Sequence, residues 1–170
     1  TALVLSCLGE HQQAEAYYKR MIEIGEKGAA AEPLPLEERQ RASIAAEGYW
    51  LLADLYIGCD RLSEAKILLS KLQSLCAPLS GLSRLRFAQV LEQMACVHMK
   101  EKRFDEAISA LFEALCIFDE MMGPNDPNSI SVLLQLAQLC AEHGREEQWL
   151  ALERRVEAIA IPMPGPRPRR

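Results

Sequence analysis

The side chains of this sequence that could act as nucleophiles, acid–base groups or metal ligands are three histidines, six cysteines and scattered carboxylates. His11, His98 and His143 stand far apart, and none belongs to an HExxH arrangement that would put two imidazoles on one helical face. Cys7, Cys59, Cys76, Cys96, Cys116 and Cys140 come no closer than the 17 positions from Cys59 to Cys76, so no zinc-ligand spacing exists. Cys96, Cys116 and Cys140 fall on apolar stripes of predicted helices, where a reduced thiol behaves as a small hydrophobe. That usage predicts a reducing, cytoplasmic setting. Adjacent acids such as Glu37–Glu38 and Glu146–Glu147 diverge on a helix and cannot face one substrate. Neither a GxGxxG nor a GxxxxGK phosphate loop occurs, nor a GxSxG elbow. The expectation is therefore a protein with no catalytic residues, no metal, no cofactor and no small-molecule substrate.

Composition points to the elements that such a chain must be built from. In 170 residues, 49% are hydrophobic but only 6% aromatic, and Leu, Ala and Ile dominate. That bias suits helices packed through small residues rather than a β-sandwich. The net charge of −5 and the lack of a basic stripe before the last few residues argue against nucleic-acid binding. No apolar run approaches the ~18 residues of a membrane span. The opening TALVLSCLGEH lacks the basic n-region of a signal peptide. The chain starts with Thr inside a helical pattern, which suggests a piece of a longer protein.

Self-similarity is the strongest organising signal. Residues 3–22, 49–72, 91–115 and 133–156 align as copies of one pattern, each later copy holding two amphipathic helices joined by a short turn. The first helix carries a bulky apolar residue followed by Ala: Leu52–Ala53, Met94–Ala95, Leu136–Ala137. Three residues later comes Tyr56, His98 or Cys140. The second helix carries an early small residue, Ala14, Ala65 or Ala107, which lets two backbones approach closely. Ala65 to Ala107 is 42 positions, as is Ala107 to Trp149, while Ala14 to Ala65 is 51. The nine extra residues are expected in GEKGAAAEPLP, where Gly, Ala and Pro replace the helical pattern. In GPNDPNS, Gly123 is expected to close a helix, Asp126 to cap the next and Pro127 to occupy its first turn. Asp60 is a further cap candidate. Glu64, Asp105, Glu106, Glu146 and Glu147 sit where a helix N-terminus favours negative charge.

These lines resemble the tetratricopeptide repeat family over roughly residues 1–158. The family's small positions match Ala53, Ala95 and Ala137 in the first helices and Ala14, Ala65 and Ala107 in the second. The segments Gly9–Ala14 and Lys102–Ala107 follow its turn pattern. The 42-residue spacing and the GPNDPNSISVLLQLAQLC connector are similar to its kinesin-light-chain-like subclass. Three departures stand out. Trp149 occupies a small-residue position, so the last two helices should splay or shift. Asp60 and Lys102 replace the turn Gly, and the first copy lacks most of its first helix. The resemblance implies an all-α, right-handed solenoid of about three and a half hairpins over residues 1–160, with repeats at 1–27, 36–77, 80–122 and 127–160. His98 stands where the family has an aromatic and is expected in helix packing, whereas His11 and His143 lie at turns.

The resemblance further implies a non-catalytic adaptor or scaffold whose first helices line a concave groove for a partner's peptide or helix. The groove positions carry over to Glu47, Trp50, Leu51, Asp54 and Ile57; then Gln89, Glu92, Gln93, Cys96, Met99 and Lys100; then Ser131, Leu134, Gln135, Gln138 and Glu142. Leu52 takes the packing position beside Trp50, so Trp50 is either an exposed anchor or packed under the long linker or a neighbouring helix. Glu47, Asp54, Glu92 and Glu142 against Lys100 predict a mildly acidic groove, suited to a basic or mixed apolar–basic ligand. The Lys, Arg and Asn cluster that clamps chaperone tails in this family is missing from the matching positions. The alternative is a structural segment of a larger solenoid or complex, packing through its helical faces. The last ten residues, IPMPGPRPRR, read as a disordered Pro/Arg tail without strict PxxP spacing, able to meet an acidic surface.

Overall fold

Apolar residues at three- and four-residue spacing, broken by short polar turns, commit this chain to helices whose apolar faces must pair. The computed structural model describes residues 11–27, 38–76 and 82–160; residues 1–10, 28–37, 77–81 and the tail 161–170 lie outside the described residues. Most of the expected insertion therefore lies outside them too. Seven helices follow in order: α1 (His11–Lys27), α2 (Glu38–Gly58), α3 (Leu62–Cys76), α4 (Leu82–Lys100), α5 (Phe104–Met122), α6 (Pro127–Glu142) and α7 (Glu146–Ala160). No strand occurs among the described residues.

Consecutive helices pack on one another, and hydrogen bonds between alternate helices sort them into two layers. In one layer, Gln93 of α4 donates to the Trp50 carbonyl of α2, and Gln135 of α6 donates to Glu92 of α4. In the other, Lys71 of α3 meets Glu26 of α1, and both guanidinium Nη atoms of Arg155 in α7 reach the Asp119 carboxylate of α5 at 2.6 Å. Layer one is thus α2, α4 and α6; layer two is α1, α3, α5 and α7.

The turns explain how the 42-residue register is kept. After α2, Asp60 adopts φ 64° and the Arg61 N–H donates to the Tyr56 carbonyl at 2.8 Å. After α4, Lys102 adopts φ 61° and Arg103 N–H donates to His98 at 2.8 Å. After α6, Gly144 adopts φ 68° and Arg145 N–H donates to Cys140 at 3.0 Å. Each is a left-handed helix stop that satisfies an orphan carbonyl. The same arginine opens the next helix, its carbonyl accepting from Ala65, Ala107 or Trp149. Asp60 is therefore not the cap that its position also suggests, but the left-handed turn residue itself, in the place of the turn Gly as the resemblance implied. The N-cap places belong to Arg61 and Arg103, and the Arg103 side chain makes no capping bond. The arginines instead bind acids three residues on: Arg61 Nε to Glu64 at 2.6 Å and Arg103 Nη2 to Glu106 at 2.9 Å. The other connector matches its reading. Gly123 closes α5 at φ 95°, Pro127 opens α6, and Asp126 accepts from the Asn128 N–H at 2.9 Å.

Ala14, Ala53, Ala65, Ala95 and Ala107 are fully buried, so helices cross closely at each of them. Ala137 departs from that pattern and is half-buried. Trp149 keeps the register of its alanine counterparts but stays half-exposed, and Leu152 is the one buried side chain among the described residues of α7. The crossing of α1 over α2 uses glycine as well. A Cβ on Gly25 would lie 2.6 Å from the Ala45 backbone nitrogen and from the Arg41 carbonyl. Two core clusters result, one centred on Leu52, Leu69 and Leu72, the other on Leu111, Phe118, Leu133 and Leu136.

Candidate functional site

The 42-residue period turns the α2, α4 and α6 layer into rows of equivalent side chains. Glu47, Gln89 and Ser131 form one row, Trp50, Glu92 and Leu134 the next; Leu51, Gln93 and Gln135 follow, then Asp54, Cys96 and Gln138. Of these, Asp54, Ser131, Leu134 and Gln138 are exposed, and Glu47, Trp50, Leu51, Gln89, Glu92, Cys96 and Gln135 are half-buried. Met99 is half-buried, while Lys100 and Glu142 are exposed. Leu134, at 49% exposure, is the apolar side chain that this face offers most fully to solvent.

Two of the expected groove residues belong to the interior. Ile57 is 8% exposed and packs in the first core, because it lies four residues after the crossing residue Ala53, on the same helical face. Gln93 is 6% exposed, since it falls three after Val90 and four before Val97, both fully buried. Its Nε2 reaches the Trp50 carbonyl at 3.4 Å, and its Oε1 finds no partner. Trp50 also follows the packed alternative: its indole lies against the first core, and its Nε1 is buried without a partner. Cys116 corrects another reading. It is exposed rather than on the apolar stripe, because nine positions past Ala107 is two and a half turns, the opposite face.

Charge on this face is less uniform than its composition implies. Glu47 is neutralised by Arg86 at 2.7 Å, a partner one repeat away in sequence that the groove pattern did not flag. Lys100 is engaged with Asp60 at 2.8 Å. Asp54 and Glu92 make no ion pair among the described residues. Burial raises the pKa of Asp54, with the Gln93 amide opposing, and burial raises that of Glu92, with Gln135 opposing. Asp54 thus touches solvent while protein around it disfavours its charged form. Burial likewise raises Cys96, and the nearby charges of Glu92 and Asp54 push in the same direction while Lys100 opposes. His98 sits in the packing as expected: burial lowers its pKa, and its Nδ1 is buried without a partner. His11 is exposed, and the exposed His143 stacks on Phe104 at 3.6 Å.

Two cavities of about 410 and 430 Å³ lie elsewhere, one along α1 and one between the turns at Lys102 and Gly144. Both are open and lined largely by charged side chains, so neither has the enclosed apolar character of a small-molecule site. Among the described residues no group of His, Cys, Asp and Glu is placed to hold a metal, and no helix is long and apolar enough to cross a membrane.

Paired antiparallel helices, a 42-residue register and small residues at the crossings give this chain the fold of a tetratricopeptide-type helical-repeat solenoid. The fold is similar to that of BtubC (BKLC) from P. vanneervenii, with TM-score 0.77 and 20% identity over 94% of this chain. The chain spans 59% of that structure's length. Nearly identical TPR-like repeats from Podosopora anserina share 18% identity over 93% of this chain and 90% of theirs, at a TM-score of 0.42. No protein-family model matches the sequence, and no curated protein matches it.

Proposed function

We propose that this chain binds a partner protein, as a peptide or helix, along the face formed by α2, α4 and α6, and that it does so without catalysis. Leu134 carries the reading. A leucine half open to water, in one row with Trp50 and Glu92, offers apolar area that a partner would gain by covering. The side chains available to such a ligand are Trp50, Leu51, Asp54, Gln89, Glu92, Cys96, Lys100, Leu134, Gln135 and Gln138, with Ile57 and Gln93 supporting them from beneath. Rigid helices hold these groups in place, so little ordering entropy is lost on binding.

A second reading has its own support. Ile67 of α3 is 68% exposed on the opposite layer, and the similar solved structure is a longer chain. On this reading the chain is a segment of a larger solenoid or complex that packs through its outer helices. The two readings separate in a pull-down from a reducing cell extract. Leu134→Glu should lose the captured partners while Ile67→Glu keeps them, with circular dichroism unchanged in both. Loss with Ile67→Glu alone would reject the groove in favour of packing through the outer layer.

A further inference from the structure

We infer that the α6 end of the α2, α4 and α6 layer docks a second copy of this chain, the two α6 helices packing antiparallel about a two-fold axis. The inference rests on the reading that protein covers this face, and it names what covers Leu134. Each helix of the layer is covered by the next. Gln93 of α4 reaches the Trp50 carbonyl of α2, and Gln135 of α6 reaches Glu92 of α4. Leu134 is the third member of that row, and among the described residues no further helix of the layer follows to cover it. The effect runs along a whole stripe. In α4, Ala88 and Ala95 are buried and Glu92 and Met99 half-buried. At the same register in α6, Ile130 and Ala137 are half-buried, and Leu134 and Ala141 are exposed.

The outer layer ends differently. Where α5 buries Leu111 and Leu115, α7 carries Glu153 and Glu157, so this helix meets water with charge. The end therefore suits one helix laid on α6 rather than a further whole hairpin. The α6 stripe holds no ionisable side chain, and the uncharged Ser131 and Gln138 flank it. Its residues recur at i, i+4, i+7 and i+11, one helical face, with bulk in the first half and alanine in the second. The pairs Ile130–Ala141 and Leu134–Ala137 share one midpoint, between Gln135 and Leu136. An antiparallel copy turned about that point sets Ile130 against Ala141 of the second copy and Leu134 against its Ala137, and the two-fold repeats both contacts. A large side chain meets a small one each time, which lets the helices approach closely. The nearest acid, Glu142, then stands at opposite ends of the pair, so no like charges meet. A second copy brings this complementary size pattern by symmetry.

One helix per copy makes a small interface, so a dissociation constant on the order of 10–100 µM is expected. Sedimentation of the full chain in reductant, from about 1 to about 500 µM, should show monomer passing to dimer across that range. Leu134→Glu and Ala141→Ile should each weaken the dimer by about tenfold or more. Ile130→Ala combined with Ala141→Ile exchanges large for small and should restore it, a recovery that mere surface hydrophobicity would not give. Ile67→Glu should leave it unchanged, with circular dichroism the same for every variant. A monomer at all concentrations, or a dimer indifferent to Leu134→Glu and Ala141→Ile, overturns the inference. A monomer that still loses captured partners with Leu134→Glu overturns the second copy and leaves the groove reading intact. Captured partners retained by Leu134→Glu while the dimer is lost would reject the groove and leave the dimer standing.

Discussion

Glu15 and Asp54 are acids with opposite effects on stability. Glu15 of α1 is held down to a pKa of about 2 from 4.5, chiefly by the hydrogen bond from Lys19, with burial opposing and Tyr56 and Arg61 adding to the lowering. Its folded pKa lies below its unfolded one, so its contribution is complete above about pH 4.5 and is lost as pH falls towards 2. Glu15→Gln should therefore lower Tm near neutral pH, and the difference from wild type should shrink through that window; a difference constant down to pH 2 would contradict the linkage. Asp54 and Glu92 have raised values, so their charged forms burden the folded state above their pKa and cease to do so once protonated. Asp54→Asn should raise Tm near neutral pH and lose that advantage in acid, which thermal melts across pH would read. At Lys102, a non-glycine residue in a left-handed conformation carries strain of about 1–2 kcal/mol, partly offset by the chain entropy that glycine would lose. Lys102→Gly should stabilise the chain by up to about 1 kcal/mol in urea unfolding.

Helix packing was largely legible because small residues leave a periodic trace. Ala53, Ala65, Ala95 and Ala107 could be placed at crossings from spacing alone, and all four are fully buried. The connector was equally legible, since Gly123, Asp126 and Pro127 each have one conformational use that suits them there. The left-handed turns were legible through the resemblance, which put Asp60 and Lys102 at its turn Gly, and not from residue chemistry. Asp60 and Lys102 are chemically unlike each other and unlike Gly144, and the arginine that follows each announces itself only at the 42-residue offset. Within the groove, alternate faces were confused where a helix is buried on two sides: Ile57 and Gln93 obey the spacing of the interior, and Gln93 hid there because a polar residue reads as surface. Arg86 escaped notice because its bond to Glu47 crosses between repeats. Gly25 also escaped, since a glycine beside an insertion reads as a breaker, whereas here it gives α2 room to cross. Gly25→Ala should cost about 1–3 kcal/mol by overpacking against fixed backbone, measured by chemical denaturation. A neutral result would mean that the crossing can shift.

As a whole, the molecule is a stack in which each hairpin depends mainly on its neighbours, so stability should fade towards ends that bury little. Among the described residues α7 buries Leu152 alone, while α5 buries seven side chains. Amide exchange should accordingly be faster throughout α7 than in α5, and uniform protection of both would contradict the stack picture. The same architecture leaves α2, α4 and α6 as a continuous layer with Leu134 and Asp54 open to solvent. The central claim is that this layer is where a partner binds. Its most direct test replaces Leu134, and in a second variant Ile67, with a photoreactive benzophenone side chain and irradiates each in a reducing cell extract. The account predicts a discrete protein adduct from the Leu134 position and none from Ile67. Adducts from Ile67 with none from Leu134 would place the binding surface on the outer layer and contradict it.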